Sequence, residues 1–131
     1  GKTIAADFPR SEFYHWVLYN IPASVTSIAE GQASNGTPEG GKPLGKTAYG
    51  MNGQNDYAKV FKGSFGGYDG PCPPWNDERM HRYYFRVYAL GVESVTTAEN
   101  VNGGQLPDMI APHVLAWGEV MGTYTQNPSV K

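Results

Sequence analysis

Alternation of apolar and polar positions is clearest over MHRYYFRVYALGV, residues 80–92. His81, Tyr83, Phe85, Val87 and Ala89 fall on one face and Arg82, Tyr84, Arg86, Tyr88 and Leu90 on the other, which predicts a long strand. One face carries His81 and Tyr83 into apolar company. The other is amphipathic, its two arginines able to snorkel. HWVLYNIP, residues 15–22, is dense in β-branched and aromatic residues between Pro9 and Pro22 and predicts a buried strand. Residues 31–56 are rich in Gly, Asn, Pro and Ser and predict a long loop of functional or mobile character. Beyond it, Pro71, Pro73 and Pro74 lack backbone donors. Pro73-Pro74 therefore reads as a stiff wall rather than a central strand. Residues 106–118 predict the one helix, with Met109, Ile110, His113, Val114 and Trp117 on a single face, Pro112 in a first turn and Gly118 as its stop. Residues 118–126 alternate again and predict a final strand. The sum is one all-β domain over 1–131, a β-sandwich with a short accessory helix near the C-terminus.

Composition agrees: 17 Gly, 10 Pro and 9 Tyr with 17% charged residues suit turns and aromatic strands better than a helical bundle. A net charge of −2 supplies no basic stripe for nucleic acid and no polybasic membrane patch. No apolar run approaches the roughly 20 residues of a membrane span, and GKTIAADFPR lacks the apolar core of a signal peptide. The single cysteine, Cys72, excludes an internal disulfide and reads as structural. Asn35-Gly36-Thr37 fits the glycosylation pattern, one that Asn- and Gly-rich loops match readily by chance. The compartment stays open, with the cytoplasm favoured over the periplasm.

GGKPLGKT, residues 40–47, matches the phosphate-loop pattern letter for letter. That motif works because a buried strand delivers it and a helix leaves it. Here GQASNGTPEG precedes it and AYGMNGQNDY follows, so the match reads as a solvated loop, with Lys42 and Lys46 in water.

Chemistry points elsewhere. His15 and His81 open the two best strands. If those strands neighbour one another, both imidazoles converge on a small aromatic pocket beside Asp7 and the Pro73-Pro74 wall, suited to hydrogen-bonding an anion. A metal site built from His15, His81 and Asp7 is the rival, but no H-x-x-x-H and no cysteine pair supports one. No nucleophile elbow and no recognisable carboxylate pair argues for hydrolysis.

Three stretches resemble the phosphatidylethanolamine-binding protein family, in its bacterial and archaeal Raf-kinase-inhibitor-like branch. They are ADFPRSEFYHWVLYNIPA, NDYAKVFKGSFGGYDGPCPPWNDERMHRYYFRVYAL and HVLAWGEVMGTYT, which together cover most of Asp7 to Thr125. The resemblance implies a Greek-key β-sandwich with an anion pocket for phosphate, phosphoethanolamine or a phospholipid headgroup. Asp7 and Pro9 match the family's D-x-D-x-P, His15 its first-block histidine, Pro74 its second pocket proline, and His81 and Tyr83 its H-R-Y. Ala5 stands where the family's first pocket acid is expected, and the family's N-terminal strands would precede this chain. The reading is therefore a non-enzymatic binder of a small phosphate-like anion, using Asp7, His15, Pro74, His81 and Tyr83 without metal or cofactor. The alternative is an interaction module that inhibits a protease or kinase through the 31–56 loop or the pocket rim. A phosphoester hydrolase using the same pocket is a third reading.

Overall fold

The run 15–22 yields only a two-residue strand, β1 (Leu18–Tyr19), in a computed structural model that describes residues 2–98 and 100–131. Its upstream residues spend their backbone bonds on an irregular partner: Gly53 donates to the Val17 carbonyl at 2.8 Å, and Asp56 N–H to the Tyr14 carbonyl at 2.8 Å. Downstream, Asn20 turns into the left-handed region at φ 51° and ends the strand. Its side chain then grips Val95 from both sides, donating to the carbonyl at 2.9 Å and accepting from the N–H at 2.8 Å.

Residues 31–56 are not the loop their composition predicts. They contain β2 (Gly45–Thr47) and β3 (Gly50–Asn52), which pair antiparallel with Lys46 opposite Met51. β1 joins the other edge of β3, giving the order β1-β3-β2. Propensity missed this hairpin because its register is set by local bonds rather than by β-branched residues. The Thr47 hydroxyl donates to the Gly50 carbonyl at 2.8 Å and accepts from Tyr49 N–H, closing the turn. Lys42 is also not solvated. Its ammonium donates to the Gly36 carbonyl at 2.7 Å and the Tyr68 carbonyl at 2.8 Å and pairs with Asp69, which uses all three donors.

A second sheet pairs β4 (His81–Leu90) with β5 (Val114–Tyr124). The ion pair Arg86–Glu119 and the stacked Tyr88–Trp117 pair run in opposite senses along the two strands, so the sheet is antiparallel. The predicted 106–118 helix shrinks to α1 (Leu106–Ile110), with Pro107 in its first turn, followed by a 3-10 turn over Ala111–His113. Val114 is already extended, and Gly118 lies inside β5 rather than capping a helix. The apolar spacing that suggested one helical face is shared between a short helix and a strand, a distinction periodicity alone does not make.

Two open sheets and one short helix place the chain in the all-β class. It divides into two compact units. One comprises Gly1–Glu12, Pro71–Ala89 and Ala116–Lys131; the other, Phe13–Gly70 and Leu90–Leu115. The buried apolar core of Val17, Tyr19, Ala33, Val101 and Ile110 belongs to the second unit, along with buried Asn52, Asn55 and Asp56. In the first unit the buried polar side chain is Asp77, 1% exposed. No helix among the described residues is long and apolar enough to cross a membrane.

Candidate functional site

Asp77 organises the first unit. The chain reaches it through a turn in which Asp77 N–H donates to the Pro74 carbonyl at 3.2 Å. The segment around Ile4 then runs alongside in a parallel bridge: Ile4 N–H donates to Asn76 O and Glu78 N–H to Ile4 O, each at 2.9 Å. Asn127 adds a bond from its side chain to the Asp77 carbonyl at 2.9 Å. Three separate stretches of sequence thus fix one aspartate.

That bridge delivers Arg10 onto the Asp77 carboxylate. Nη2 donates to Oδ1 at 2.8 Å while Nη1 donates to Oδ2, a two-pronged ion pair. The guanidinium is oriented by the Phe8 and Ala5 carbonyls, at 3.0 and 3.1 Å. On the other side, Arg79 N–H donates to Oδ1 at 2.9 Å, and His81 Nε2 lies 2.7 Å from Oδ2. Hydrogen bonding from Arg10 foremost, then from His81 and the Arg79 N–H, outweighs burial and holds the Asp77 carboxyl well below the usual carboxylate range. An ionised carboxylate only accepts, so His81 Nε2 carries the proton it donates. The four bonds occupy the four lone-pair positions of Asp77.

Over this buried carboxylate lies an open pocket of about 200 Å³ lined by Arg10, Ser11, Arg79, Met80, His81 and Arg82. His81 is half-buried in its wall, and its ring stacks against Tyr83 with centroids 6.4 Å apart. His81 keeps the Tyr83 that the alternating pattern put on its face, but its polar contact is Asp77 and arginines line the pocket beside it, where apolar neighbours were predicted.

The other expected site residues fall as follows. Tyr83 adjoins His81, as described. Pro74 is exposed and contributes its carbonyl to the Asp77 turn, while Pro73 is buried. Asp7 is exposed in the same unit; the carboxylate that contacts His81 is Asp77. His15 belongs to the second unit, in an aromatic cluster with Phe13 at 4.8 Å and Tyr57 at 5.6 Å between ring centroids. Cys72, expected to be structural, is exposed. Among the described residues no group of three or more His, Cys, Asp or Glu side chains is placed to hold a metal ion. Arg10, Asp77, Arg79 and Arg82 went unselected by sequence reasoning. The signal for them is local: Asp77 stands four residues before His81, and arginines flank that histidine within ERMHR.

The fold is that of an all-β protein with a polar pocket at the start of β4, and comparison with known proteins gives its lineage. The family profile described as phosphatidylethanolamine-binding protein matches residues 4–125. The chain belongs to that family. It is 35% identical over 118 residues to a UPF0098 protein of Pyrococcus horikoshii, covering 90% of this chain and 52% of the relative. The UPF0098 protein YbcL of Escherichia coli is 31% identical over 115 residues, 87% of this chain and 55% of the relative. The crystal structure of YbcL, described as a member of the mammalian family, superposes with a TM-score of 0.65 at 30% identity, covering 91% of this chain and 65% of that one. The homolog CT736 of Chlamydia trachomatis gives 0.61 at 31% identity, covering 88% and 60%. The chain thus spans a little over half the length of the first of these relatives.

Proposed function

We propose that this protein binds a small phosphate-like anion, of the phosphate or phospholipid-headgroup class, without turning it over. Family membership supports a ligand-binding role in general, and the relatives' printed descriptions name phosphatidylethanolamine binding. The observation that carries the finer reading is His81, held by Asp77 in the wall of a pocket lined by three arginines. Guanidinium groups recognise phosphate oxygens through paired donors, and such charge-assisted bonds contribute roughly 1.5–3 kcal/mol each. Asp77 fixes the Arg10 and His81 side chains in place, so the site loses little rotamer entropy on binding. Pro74 turns the chain into the site and Tyr83 flanks the imidazole.

Calorimetric titration of inorganic phosphate into wild type, His81→Ala and Arg79→Ala tests this reading. Measurable binding by wild type that weakens in both variants is expected. Equal affinity in all three proteins overturns the assignment to this pocket. Release of phosphate from phosphoester substrates that disappears in His81→Ala would overturn the non-enzymatic part.

A further inference from the structure

The chemistry of the pocket goes beyond a preference for anions, because it also specifies what else the ligand carries. Arg10, Arg79 and Arg82 are among the residues that line a space of about 200 Å³, and no carboxylate is among them. Asp77, whose carboxylate holds Arg10 and His81, is 1% exposed, and its lone pairs are taken by Arg10, His81 and the Arg79 N–H. It cannot accept from a ligand ammonium without giving up one of those bonds. Arg79 and Arg82 are exposed, and their guanidinium groups form no ion pair among the described residues, so their donors are available to a ligand.

Resting on the reading above that an anion binds here, we propose that the pocket selects dianionic phosphomonoesters and disfavours phosphate esters that also carry an ammonium group. The phosphoryl oxygens meet Arg79, Arg82 and the remaining donor capacity of Arg10. An ammonium on the same small ligand would meet three lining arginines with only neutral acceptors such as the Ser11 hydroxyl to offset them, and like-charge juxtaposition is costly. The space of about 200 Å³ is below the roughly 300–1,000 Å³ of pockets for drug-sized ligands and is open to solvent, so it takes the phosphoryl end of an ester. Phosphoethanolamine and glycerol 3-phosphate have similar bulk and differ in the ammonium, which makes them the informative pair.

Calorimetry at about pH 8, where the phosphoryl group of each is dianionic, gives the test. Glycerol 3-phosphate is expected to bind about tenfold more tightly than phosphoethanolamine. The double variant Arg79→Ala/Arg82→Ala should lose most of its glycerol 3-phosphate affinity, and the corresponding double lysine variant should recover part of it. Met80→Glu, which places a carboxylate in the lining, should narrow the ratio between the two ligands, while Met80→Gln leaves it unchanged. Phosphoethanolamine binding as tightly as glycerol 3-phosphate overturns the selectivity and leaves anion binding standing. Absence of binding by both ligands and by inorganic phosphate overturns anion binding itself. A parallel sedimentation with phosphatidylcholine vesicles containing phosphatidic acid distinguishes the sources of a monoester. Vesicle binding displaced by glycerol 3-phosphate assigns it to a lipid, and glycerol 3-phosphate binding with vesicles ignored assigns it to a soluble ester. Vesicle binding that persists with glycerol 3-phosphate in excess places the lipid elsewhere and counts against the pocket.

Discussion

His81 donates from Nε2 to Oδ2 of Asp77 at 2.7 Å, across one turn of chain. The same carboxylate receives both terminal nitrogens of Arg10. Asp77 is thereby the structural support of the proposed ligand site, and its removal should be felt both in stability and in binding.

Replacing Asp77 by Asn keeps the shape and removes the charge. The partly buried Arg10 and His81 donors lose a charged acceptor, at a cost of about 1–3 kcal/mol. The pH dependence gives a second signature. The folded Asp77 carboxyl titrates well below its unfolded value, so its stabilisation is complete above the unfolded value of about 3.9. It is lost as pH falls from there toward the folded value. Urea midpoints measured between neutral and strongly acidic pH should therefore fall less steeply with acid in Asp77→Asn than in wild type. Parallel curves for the two proteins would show that Asp77 is not held in the ionised form.

The two lysines of GGKPLGKT should behave differently. Lys42 spends its donors on Gly36, Tyr68 and Asp69, whereas Lys46 is exposed on β2. Lys42→Met strands those acceptors and should lower the unfolding free energy by about 1–3 kcal/mol. Lys46→Met should stay within about 0.5 kcal/mol of wild type. Neither should change affinity for inorganic phosphate, since neither lines the arginine pocket. Chemical denaturation and calorimetry on the same pair of variants read both effects.

Asn20 combines a left-handed backbone at φ 51° with a two-way clasp on Val95. Asn20→Ala leaves both Val95 groups without partners and should cost about 1–3 kcal/mol. Asn20→Val should cost more, because a β-branched residue resists positive φ. A thermal melt in which Asn20→Val is at least as stable as Asn20→Ala would contradict this account of how β1 ends.

Burial predicts a contrast between two apolar truncations. Val101 is 1% exposed in the core of the second unit, and Leu115 on β5 is 75% exposed. Val101→Ala should destabilise by about 1–3 kcal/mol, and Leu115→Ala by less than about 0.5 kcal/mol. Urea denaturation of both variants checks the difference.

The strand at 80–92 was legible because its alternation coincides with aromatic and β-branched residues, and β4 departs from it by only a residue or two. Rejection of the phosphate-loop match was legible too, since no apolar run precedes Gly40 and no helix signal follows Thr47, where the chain forms β3. The hairpin of β2 and β3 was hidden by its glycines, and the length of α1 by a hydrophobic spacing that helix and strand both satisfy. For the proposed site, motif matching pointed to Asp7, His15, Pro74, His81 and Tyr83; of these, His81 touches Asp77 and stacks on Tyr83, and Pro74 gives its carbonyl to the Asp77 turn. Motif matching could not find Asp77 as the support of His81, because that role depends on Arg10 arriving from 67 residues away. The overall charge of −2 also concealed a locally cationic pocket, since a sum over the chain does not report where arginines gather.

The proposed anion site lies beside His81. Crystals of the protein grown with inorganic phosphate test it most directly. Tetrahedral density is expected within hydrogen-bond distance of the Arg79 and Arg82 guanidinium groups and bordering His81. Phosphate bound instead at the glycine-rich 40–47 segment, with the arginine pocket empty, would contradict it.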